Sequence, residues 1–535
     1  MDPRVAARSS HRLWVCRRRR KSPDTEGQGI GLICSARARN EVRRPTPDEP
    51  GWHHDDSFVP EMEECMVGEA VRSRPGRGAP VQSLIGPGLS FHARPLSLDI
   101  PFLEVFARLH ARLPRVFLLE SLEADERVAR YSIIGFAPKH HITAKEGRLF
   151  VDGDAVTTAN PYLALRELLG AQRLPTPGYC GGLVGYFSYE ATRYFESGLR
   201  FQQTAFPDFE LGLFLDGLIL NRLTGSIYYF YLQQDRSELL LQSIAEGPPA
   251  SDDVDAVLAV EYLGSNVSRD EHNAQFAAVM AEIQAGNSYQ VQISRKFRYR
   301  IEGSKLPIYQ ALRELNPSPH MFYLKFDDRE LIGSSPEIVV RLERGLMEVI
   351  PIAGTRRRGR DREEDEALAR ELLEDPKERA EHMMLVDLAR NDVGRLCRFG
   401  TVQVRRLMYL LRFSHVQHIV TDVEGRLAPG HDMFDVYAVS SPAGTVTGAP
   451  KIESMKIINR VEKEGRGPYS GSVGYFSLSG DCYFAIAIRS LFAQGSDAWA
   501  QAACGIVYDS VADLEYKEVE NKGAAVRRAI ERAAR

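Results

Sequence analysis

Runs of short strand-like segments, joined by tight turns rather than by helices, most constrain this fold. In the first half, "RVFLLESL" and "RYSIIGFAP" predict strands, and "GRLFVDGDAV" predicts a hairpin with its turn at Gly153–Asp154. "FELGLFLDGLILNRLTGSIYYFYLQ" predicts two strands, with a turn near Thr224–Gly225. The second half repeats the pattern at "HMFYLKF", "RELIGSS", "EIVVRLERG" and "LMEVIPIAG". Strict strand–helix alternation would indicate a parallel sheet, so strands in runs favour an α+β chain.

Helical segments are grouped in the same way. Apolar residues at helical spacing, capping residues and glycine stops predict where they lie. Ser268 and Glu271 form a predicted capping box, and Pro376 directly after Asp375 marks another helix start. The predicted helices cover 101–113, 160–170, 268–286, 363–374, 376–391, 448–461 and 513–534.

Charge and cysteine usage narrow the class of protein. The chain has 535 residues, a net charge of −4 and seven scattered cysteines that form no CxxC pair. The small net charge gives no reason to expect a nucleic-acid partner. An odd number of thiols without metal-ligand spacing fits a reducing cytoplasm better than a disulfide framework. No apolar run reaches the ~18 residues of a membrane helix, so the sequence predicts a soluble, cytoplasmic protein with no membrane partner.

Composition also divides the chain. Residues 1–92 lack periodicity and are rich in Arg, Pro and Gly, which predicts a disordered extension or upstream sequence read from too early a start. Their acidic residues argue against a transit peptide. "EGPPASDDVD" predicts a linker over 246–262, which separates an N-terminal region at 93–245 from a second region at 263–535.

Two predicted helices each carry a pair of carboxylates on one face. Glu378 and Glu381 lie on the line of the apolar stripe of "PKERAEHMMLVDLARND". Glu515 and Glu518 are three residues apart in "DLEYKEVENK", with Lys522 one turn further on. A hard divalent cation such as Mg²⁺ takes oxygen ligands of this kind. Two solvated faces that pair with Arg and Lys explain the same spacing, and the spacing alone leaves both interpretations open.

Gly-rich and basic segments lie between the two acid pairs. "SSPAGTVTGAPK" is not a P-loop, because three residues rather than four separate Gly444 from Gly448 and Pro450 removes a donor. Backbone amides at a helix start still attract a carboxylate. Arg489 follows an apolar strand in "AIAIRS", where its guanidinium fits a carboxylate. Taken alone, each segment is more typical of scaffold than of a site.

Five segments, read in order, are "PIAGTRRRGR", "AEHMMLVDLARND", "SPAGTVTGAPK", "GYFSLSGDCYFAIAIRS" and "EYKEVENK". Together they closely resemble the chorismate-utilising enzymes, over roughly residues 96 to 530. The resemblance implies a large sandwich of two antiparallel sheets faced by helices, with Mg²⁺ and chorismate at its centre. It also implies that 93–245 is regulatory and that 263–535 is the chorismate-binding catalytic region.

The resemblance assigns roles to the matching residues. It implies that Glu381 and Glu518 bind Mg²⁺, that Glu378 and Glu515 act directly or through water, and that Lys522 lies near the ring carboxylate. The implied substrate contacts are Gly354, Thr355, Gly444, Thr445, Tyr475, Arg489, Ala503 and Gly505.

Besides the family's general acid, three positions separate its branches by chemistry. Loss of the chorismate hydroxyl needs a general acid, and Glu337 in "GSSPE" matches the family's acid. Members that use water have a lysine base where this chain has Gln290, and members that aminate C4 have a nucleophilic lysine where it has Ala353. The family reaction that remains is attack by ammonia at C2 of the chorismate ring. His418 matches a histidine linked to the later loss of pyruvate, whereas the neighbouring His415 is interpreted as structural.

Partners follow from the same resemblance. No cysteine lies in a glutamine amidotransferase motif, so a separate glutamine amidotransferase subunit is expected to supply ammonia, in a heterotetramer. "LLESLE" and "NPSPHMFYL" resemble two walls of the family's tryptophan feedback site. The implied inhibitor contacts are Glu120, Ser121, Arg130, Asn316, Pro317, His320 and Met321, and His320 replaces the more usual tyrosine.

Three interpretations stay open beside the conversion of chorismate and ammonia to anthranilate and pyruvate. Two are other chorismate aminations, namely aminodeoxychorismate synthesis at C4 and phenazine-type synthesis that keeps the pyruvyl group. The third is a non-catalytic regulator that binds tryptophan or chorismate. Retention of Glu337, Glu381, Glu518 and Lys522 weighs against the regulator.

Overall fold

Two large antiparallel sheets pack face to face, and helices cover their outer sides. The computed structural model describes residues 81–122, 130–248, 258–413 and 416–534, and within them each sheet has twelve strands. The rings of Phe117 in one sheet and Phe214 in the other meet edge to face between the sheets, with centroids 4.7 Å apart. The predicted α+β sandwich of two antiparallel sheets faced by helices is confirmed.

The described strands, in chain order, are β1 (His92–Pro95), β2 (Arg115–Glu120), β3 (Tyr131–Phe136), β4 (His140–Lys145), β5 (Arg148–Val151), β6 (Asp154–Val156), β7 (Gly182–Phe187), β8 (Phe209–Phe214), β9 (Asp216–Asn221), β10 (Ile227–Tyr231), β11 (Ala259–Ser265), β12 (Gln290–Glu302), β13 (His320–Phe326), β14 (Arg329–Ser335), β15 (Ile338–Glu343), β16 (Leu346–Val349), β17 (Ile352–Arg357), β18 (Gln403–Arg412), β19 (Val416–Arg426), β20 (Gly448–Ala449), β21 (Ser472–Ser477), β22 (Cys482–Ile486), β23 (Ser490–Gln494) and β24 (Asp497–Ile506).

The described α-helices are α1 (Phe102–Arg112), α2 (Pro161–Leu169), α3 (Ser237–Glu246), α4 (Arg269–Gln284), α5 (Leu306–Leu315), α6 (Arg362–Glu374), α7 (Pro376–Gly394), α8 (Met433–Ser440), α9 (Lys451–Val461) and α10 (Ala512–Ala533). Short 3₁₀ turns lie at Tyr189–Tyr194 and Gly444–Val446. Within the described segments, no helix is both long and apolar enough to span a membrane.

Strands from both halves of the chain interleave in both sheets. The first sheet runs β1-β10-β9-β3-β2-β13-β14-β23-β24-β12-β11, with β20 also on β12. The second runs β17-β19-β16-β15-β22-β21-β7-β8-β4-β5-β6, with β18 also on β19. Leu119 of β2 pairs with Phe322 of β13, and Gly185 of β7 pairs with Gly474 of β21. The regions predicted at 93–245 and 263–535 therefore share both sheets.

Each sheet has its own helix-covered core. Apolar residues of α1, α3, α4, α5, α9 and α10 pack on the outer face of the first sheet. Residues of α2, α7 and α8 pack on the outer face of the second sheet, where Val386 of α7 and Phe434 of α8 are buried. Helices α7 and α10, which carry the two predicted acid pairs, thus pack on different sheets.

The predicted N-terminal extension and the predicted linker lie partly on residues outside the described ones. Residues 1–80 and 249–257 are among these. Residues 81–91 are described, and Ile85 and Leu89 are buried in the core of the second sheet. β11 begins inside the predicted linker at 246–262 and pairs with β12.

Three local predictions need correction. The segment 209–231 forms three strands rather than two, because the chain also turns at Leu215 between β8 and β9. The hairpin at 148–156 turns at Asp152–Gly153, and both residues have positive φ (53° and 92°), as a tight hairpin requires. Helix α9 begins at Lys451 rather than at 448, because Gly448 and Ala449 pair with β12 and Pro450 cannot donate a backbone hydrogen bond.

Candidate active site

The chain crosses between the two sheets twice at the same place. β14 in the first sheet leads into β15 in the second, and β22 in the second leads into β23 in the first, with Glu337 and Arg489 in the two connections. The crossings stay hydrogen-bonded, since the Ser334 amide donates to the Arg489 carbonyl (3.2 Å) and the Ile486 amide donates to the Glu337 carbonyl (2.9 Å). Arg489 has a left-handed φ of 54°, a strained conformation for a side-chain-bearing residue. The double crossing brings an acidic side chain, Glu337, and a basic side chain, Arg489, to one corner of the sandwich.

Glu337 is a buried carboxyl that forms no ion pair with another described residue. It is 7% exposed, and burial raises the pKa of its carboxyl to about 8, although Thr445, the Ile352 amide and the charge of Lys522 oppose this shift. A carboxyl with this pKa keeps its proton at neutral pH. Glu337 can therefore donate a proton in the site.

His418 lies beside this corner on β19. Its Nδ1 is 2.9 Å from the Gly354 carbonyl oxygen, which only accepts, so Nδ1 carries the hydrogen and the Nε2 lone pair is free. Its Nδ1 is also 3.1 Å from Thr355 Oγ1. Burial, with the charges of Arg489 and Lys522, lowers the pKa of the His418 ring to about 4. The ring is therefore a neutral base at physiological pH.

Strands β12 and β24 form another side of the candidate site. Gln290 is buried, and its Oε1 has no hydrogen-bond partner among the described residues. A side chain at Gly505 would approach Gln290 Nε2 to 2.8 Å, so only glycine lets the two come so close. Lys522 of α10 donates to the Ala503 carbonyl (3.1 Å), and Arg489 Nη1 donates to the Lys522 carbonyl (2.8 Å). The predicted residues Gln290, Ala503, Gly505, Lys522 and Arg489 are thus neighbours.

The turn at Gly444–Val446 carries Thr445 toward the same corner. A side chain at Gly444 would lie 2.2 Å from Leu388 Cδ2, so the turn packs directly on α7. Thr445 lies close enough to Glu337 for its hydroxyl to lower the pKa of that carboxyl and so oppose the effect of burial. Buried polar atoms are normally satisfied, so the unpartnered Gln290 Oε1 indicates a site for a polar ligand.

The two acid pairs face each other from α7 and α10. Burial raises the pKa of Glu381, and the charges of Glu378 and Glu518 raise it further. Burial also raises the pKa of Glu515, and Glu518 adds to the effect. Like charges at this range raise one another's pKa values. The helices therefore bring together the four carboxylates that the sequence proposes as metal ligands.

Basic side chains contact three of these carboxylates. Arg356 Nη1 is 3.2 Å from Glu378, Lys377 Nζ is 3.7 Å from Glu381, and Lys522 Nζ is 2.5 Å from Glu518. Among the described residues no three His, Cys, Asp or Glu side chains are already gathered at metal-binding distances.

Glu515 provides a separate test of whether a cation fits. It accepts a hydrogen bond from Ser510 through Oε1 (2.7 Å), but its buried Oε2 has no partner in the described part of the chain. An unpartnered buried carboxylate oxygen that faces further carboxylates matches the oxygen ligands that Mg²⁺ takes. The residues present therefore fit a divalent cation between α7 and α10.

Tyr475 does not join this group. Its ring packs 4.9 Å from that of Tyr179 and 6.2 Å from that of Tyr483, whose hydroxyl is 2.9 Å from His320 Nδ1. Tyr469 instead lies within electrostatic range of Arg489, since each affects the pKa of the other. Sequence reasoning did not consider Tyr469; the aromatic residue that ends the Gly-rich "EGRGPY" is the signal that it overlooked.

The predicted inhibitor contacts divide between the two faces of β2 and β13. The Glu120 carboxylate accepts from Tyr309 (2.7 Å) and pairs with Arg313 (2.9 Å) of α5, so it points toward the helix layer, as does buried Met321. Ser121 is buried with no partner for Oγ in the described residues. The Asn316 side chain donates to Ser334 (2.9 Å).

The other predicted inhibitor contacts are placed less closely together. His320 bonds Tyr483 between the sheets, and burial lowers its pKa to about 3. Pro317 is half-buried in the segment that leads into β13, and the Arg130 guanidinium lies over the Tyr131 ring, at 5.4 Å. His415 lies outside the described residues.

Comparisons with known proteins cover most of the chain. Residues 114–528 match the family described as chorismate binding enzyme. A protein named anthranilate synthase component 1 from Methanothermobacter thermautotrophicus is 45% identical over 440 residues, which cover 81% of this chain and 92% of that relative. A protein of the same name from Leptospira biflexa is 44% identical over 445 residues, with 83% and 96% covered.

A solved structure also matches most of the chain. The crystal structure of anthranilate synthase component I from Streptococcus pneumoniae matches with a TM-score of 0.65 and 31% identity, covering 76% of this chain and 93% of that chain. The acid, the histidine and the facing carboxylates all lie within the matched residues 114–528. The chain belongs to the chorismate binding enzyme family.

Proposed function

We propose that this protein converts chorismate and ammonia to anthranilate, pyruvate and water, the first step of tryptophan biosynthesis. The observation that carries the proposal is a proton-holding carboxyl at Glu337 in the same corner as Gln290, an amide that cannot activate water. The names of the two relatives and of the solved structure support the same reaction.

In the first step, ammonia attacks C2 of the ring and the C4 hydroxyl leaves. Glu337 donates its proton to that hydroxyl, which departs as water while the double bond shifts. Gln290 orients the incoming ammonia through its free Oε1, which accepts an N–H bond but takes no proton. Ala353 cannot form a covalent adduct with the ring, which favours ammonia over an enzyme-bound amine.

In the second step, the aminated ring loses the C2 hydrogen and the C3 enolpyruvyl group. His418 Nε2 takes the C2 proton, because Nδ1 already donates to Gly354. The enolpyruvyl group takes up a proton and leaves as pyruvate, and the ring becomes aromatic. The low pKa of His418 keeps this base available down to about pH 4.

Charged residues orient the two carboxylates of chorismate. Arg489 and Lys522 supply positive charge, and Thr445 and the backbone near Gly505 supply polar contacts. Gly354, Thr355, Gly444 and Ala503 belong to the surrounding wall. The Tyr475 ring packs on Tyr179 and Tyr483, so in this proposal Tyr469 is the tyrosine that lies beside Arg489 and the substrate.

Glu381 and Glu518, assisted by Glu378 and Glu515, would hold Mg²⁺, which neutralises negative charge on a substrate carboxylate when bound. Without a cation, the mutual repulsion of the four carboxylates and of chorismate disfavours substrate binding. Lys377, Lys522 and Arg356 must give up part of their contacts to these carboxylates when the cation binds.

Ammonia comes, in this proposal, from glutamine through a separate amidotransferase subunit in a heterotetramer. The name component 1 on the relatives supports a partner component. The four described cysteines, at 180, 397, 482 and 504, are buried and free, and burial raises the pKa of each thiol, so none of them suits a glutamine-cleaving nucleophile. Free buried thiols also fit a cytoplasmic location.

Tryptophan inhibition is the regulatory part of the proposal. In this proposal tryptophan binds beside Ser121 Oγ, which is buried without a partner among the described residues, and beside the bonded pair His320–Tyr483, with Asn316 and Pro317 flanking it. Glu120 contributes through its backbone and through Arg313 rather than by direct contact, because its carboxylate faces α5. Arg130 and Met321 border the same strands.

A direct assay tests the reaction. The purified chain is incubated with chorismate, Mg²⁺ and ammonium; anthranilate fluorescence and released pyruvate are measured, with EDTA as a second arm, and products are weighed by mass spectrometry. Equal amounts of anthranilate and pyruvate are expected. Glu337→Gln should be inactive, whereas Glu343→Gln, at the exposed end of β15, should be fully active. An aminated product that keeps the pyruvyl group, or amination at C4, would refute the proposal.

A further inference from the structure

Arg466 is a fully buried arginine just outside the residues assigned to the reaction. It is 1% exposed and follows α9 in the segment that leads to Tyr469. Burying a guanidinium is costly unless its donors are bonded and its charge is paired. Glu462 supplies the charge, accepting from Nε (2.9 Å) and Nη2 (2.8 Å) in a bidentate pair. The remaining donors are free to bond elsewhere.

Those donors reach three separate segments of the site. Nη1 donates to the Val446 carbonyl (2.8 Å), directly after Thr445, and to Ser470 Oγ (3.2 Å), directly after Tyr469. Nη2 donates to the Gln292 carbonyl (2.8 Å) on β12, two residues after Gln290. One side chain therefore ties together the turn that faces Glu337, the wall at Gln290 and the segment beside Arg489.

Further contacts fix the guanidinium itself. It stacks over the Tyr189 ring, with its carbon 4.8 Å from the ring centroid. Glu190, which is 1% exposed, accepts from the Arg466 amide (2.7 Å), and Glu462 also accepts from Ser294 Oγ (2.8 Å). These bonds and the stacking leave the Arg466 guanidinium little freedom to rotate. A small shift of Arg466 therefore moves all three segments. Displacements of about 1 Å can lower a rate by about 100-fold.

We propose that Arg466 is a positioning residue for the chorismate reaction, which holds Thr445, Gln290 and Tyr469 in register through Val446, Gln292 and Ser470. This inference rests on the proposed function. Lysine at this position retains the charge for Glu462 but cannot reach three acceptors at once, since an ammonium is a point charge on a flexible chain. Replacing Arg466 with lysine should therefore lower the catalytic activity much more than it lowers the stability.

The test compares Arg466→Lys, Arg466→Met and Arg329→Lys. Arg329 is the matched control, because it makes an equivalent bidentate pair with buried Glu210 (2.8 and 2.7 Å) away from the site residues. Thermal unfolding, kcat and KM for chorismate, and hydrogen exchange of the peptides that contain 444–447 and 468–471 are measured. Wild-type anthranilate formation is measured first, so a failure of the proposed reaction is seen before any variant is judged.

The lysine variant is expected to recover much of the stability lost by the methionine variant, yet to keep a kcat/KM about 100-fold below wild type. Exchange in both peptides should be faster. The Arg329→Lys control should lose stability and keep kcat/KM within about twofold. If Arg466→Lys does not fold, Glu462→Gln should show the same pattern to a smaller extent, with a larger effect on kcat/KM than on stability. A folded Arg466→Lys or Glu462→Gln protein with wild-type kcat, KM and exchange overturns the inference.

Discussion

The protonation of Glu337 has a consequence for stability that is independent of any catalytic assay. Burial raises the pKa of this carboxyl from an ordinary 4.5 to about 8. Below pH 4.5 the folded and unfolded chains both hold the proton. Between pH 4.5 and about 8 only the unfolded chain releases it, so each pH unit favours unfolding by about 1.4 kcal/mol. The group therefore lowers the free energy of unfolding by about 3 kcal/mol at pH 7 and by about 5 kcal/mol above pH 8.

Glutamine at position 337 removes this pH dependence. Glu337→Gln should gain stability relative to wild type as the pH rises from 5 to 8, by about 1.4 kcal/mol per unit. Urea unfolding at pH 5, 6, 7 and 8 measures the difference, and all other titrating groups cancel because both proteins contain them. Any fixed gain or loss from the amide shifts the line without changing its slope.

A second buried carboxyl gives the opposite expectation. Burial alone would raise the pKa of Glu210, but hydrogen bonds from Arg329 and His141 outweigh it and lower the pKa. Glu210→Gln should therefore lose stability above pH 4.5, where wild type has its ion pair.

A difference between Glu337→Gln and wild type that is flat from pH 5 to 8 would show that Glu337 is not a proton-holding acid, and the first catalytic step would fail with it.

Three other changes separate the remaining parts of the site. His418→Gln should make the aminated intermediate accumulate with its pyruvyl group attached, seen by mass spectrometry; undiminished pyruvate release would contradict its role as base. Glu518→Gln should raise the Mg²⁺ concentration needed for half-maximal activity at least tenfold and weaken Mn²⁺ binding measured directly by paramagnetic resonance, whereas exposed Glu531→Gln should change neither. Ser121→Phe should abolish inhibition by tryptophan and leave kcat near wild type, so inhibition that survives unchanged would place the inhibitor elsewhere.

Local signals in the sequence predicted the elements that carry the site. Asp375 accepts from the amides of Lys377 (2.9 Å) and Glu378 (3.2 Å), so the capped start of α7 is where Asp-Pro indicated it. The three-residue spacing fixed Glu378 and Glu381 on one face, and likewise Glu515 and Glu518. Helical periodicity and capping are properties of neighbouring residues, and this is why they could be read directly.

Assigning roles to single residues within one motif was less secure. The motif "GYFSLSGDCYFAIAIRS" led to Tyr475, but β21 alternates its side chains, and Tyr475 faces Tyr179 and Tyr483. Tyr469 precedes the strand and lies near Arg489 instead. Similarly, Glu120 and Ser121 are adjacent in sequence and point to opposite faces of the sheet. A motif fixes the order of residues but not the face on which each one lies.

The sequence by itself determined the strands in runs, the helix starts and the acid pairs, because each depends on residues within a few positions of one another. Only the tertiary structure decided which of them meet. Glu337 and Arg489 are 152 positions apart and share a corner because the chain crosses between the sheets twice at one place. The raised pKa of Glu337, the lowered pKa of His418 and the three-way bonding of Arg466 all follow from burial in that corner, which no local pattern encodes.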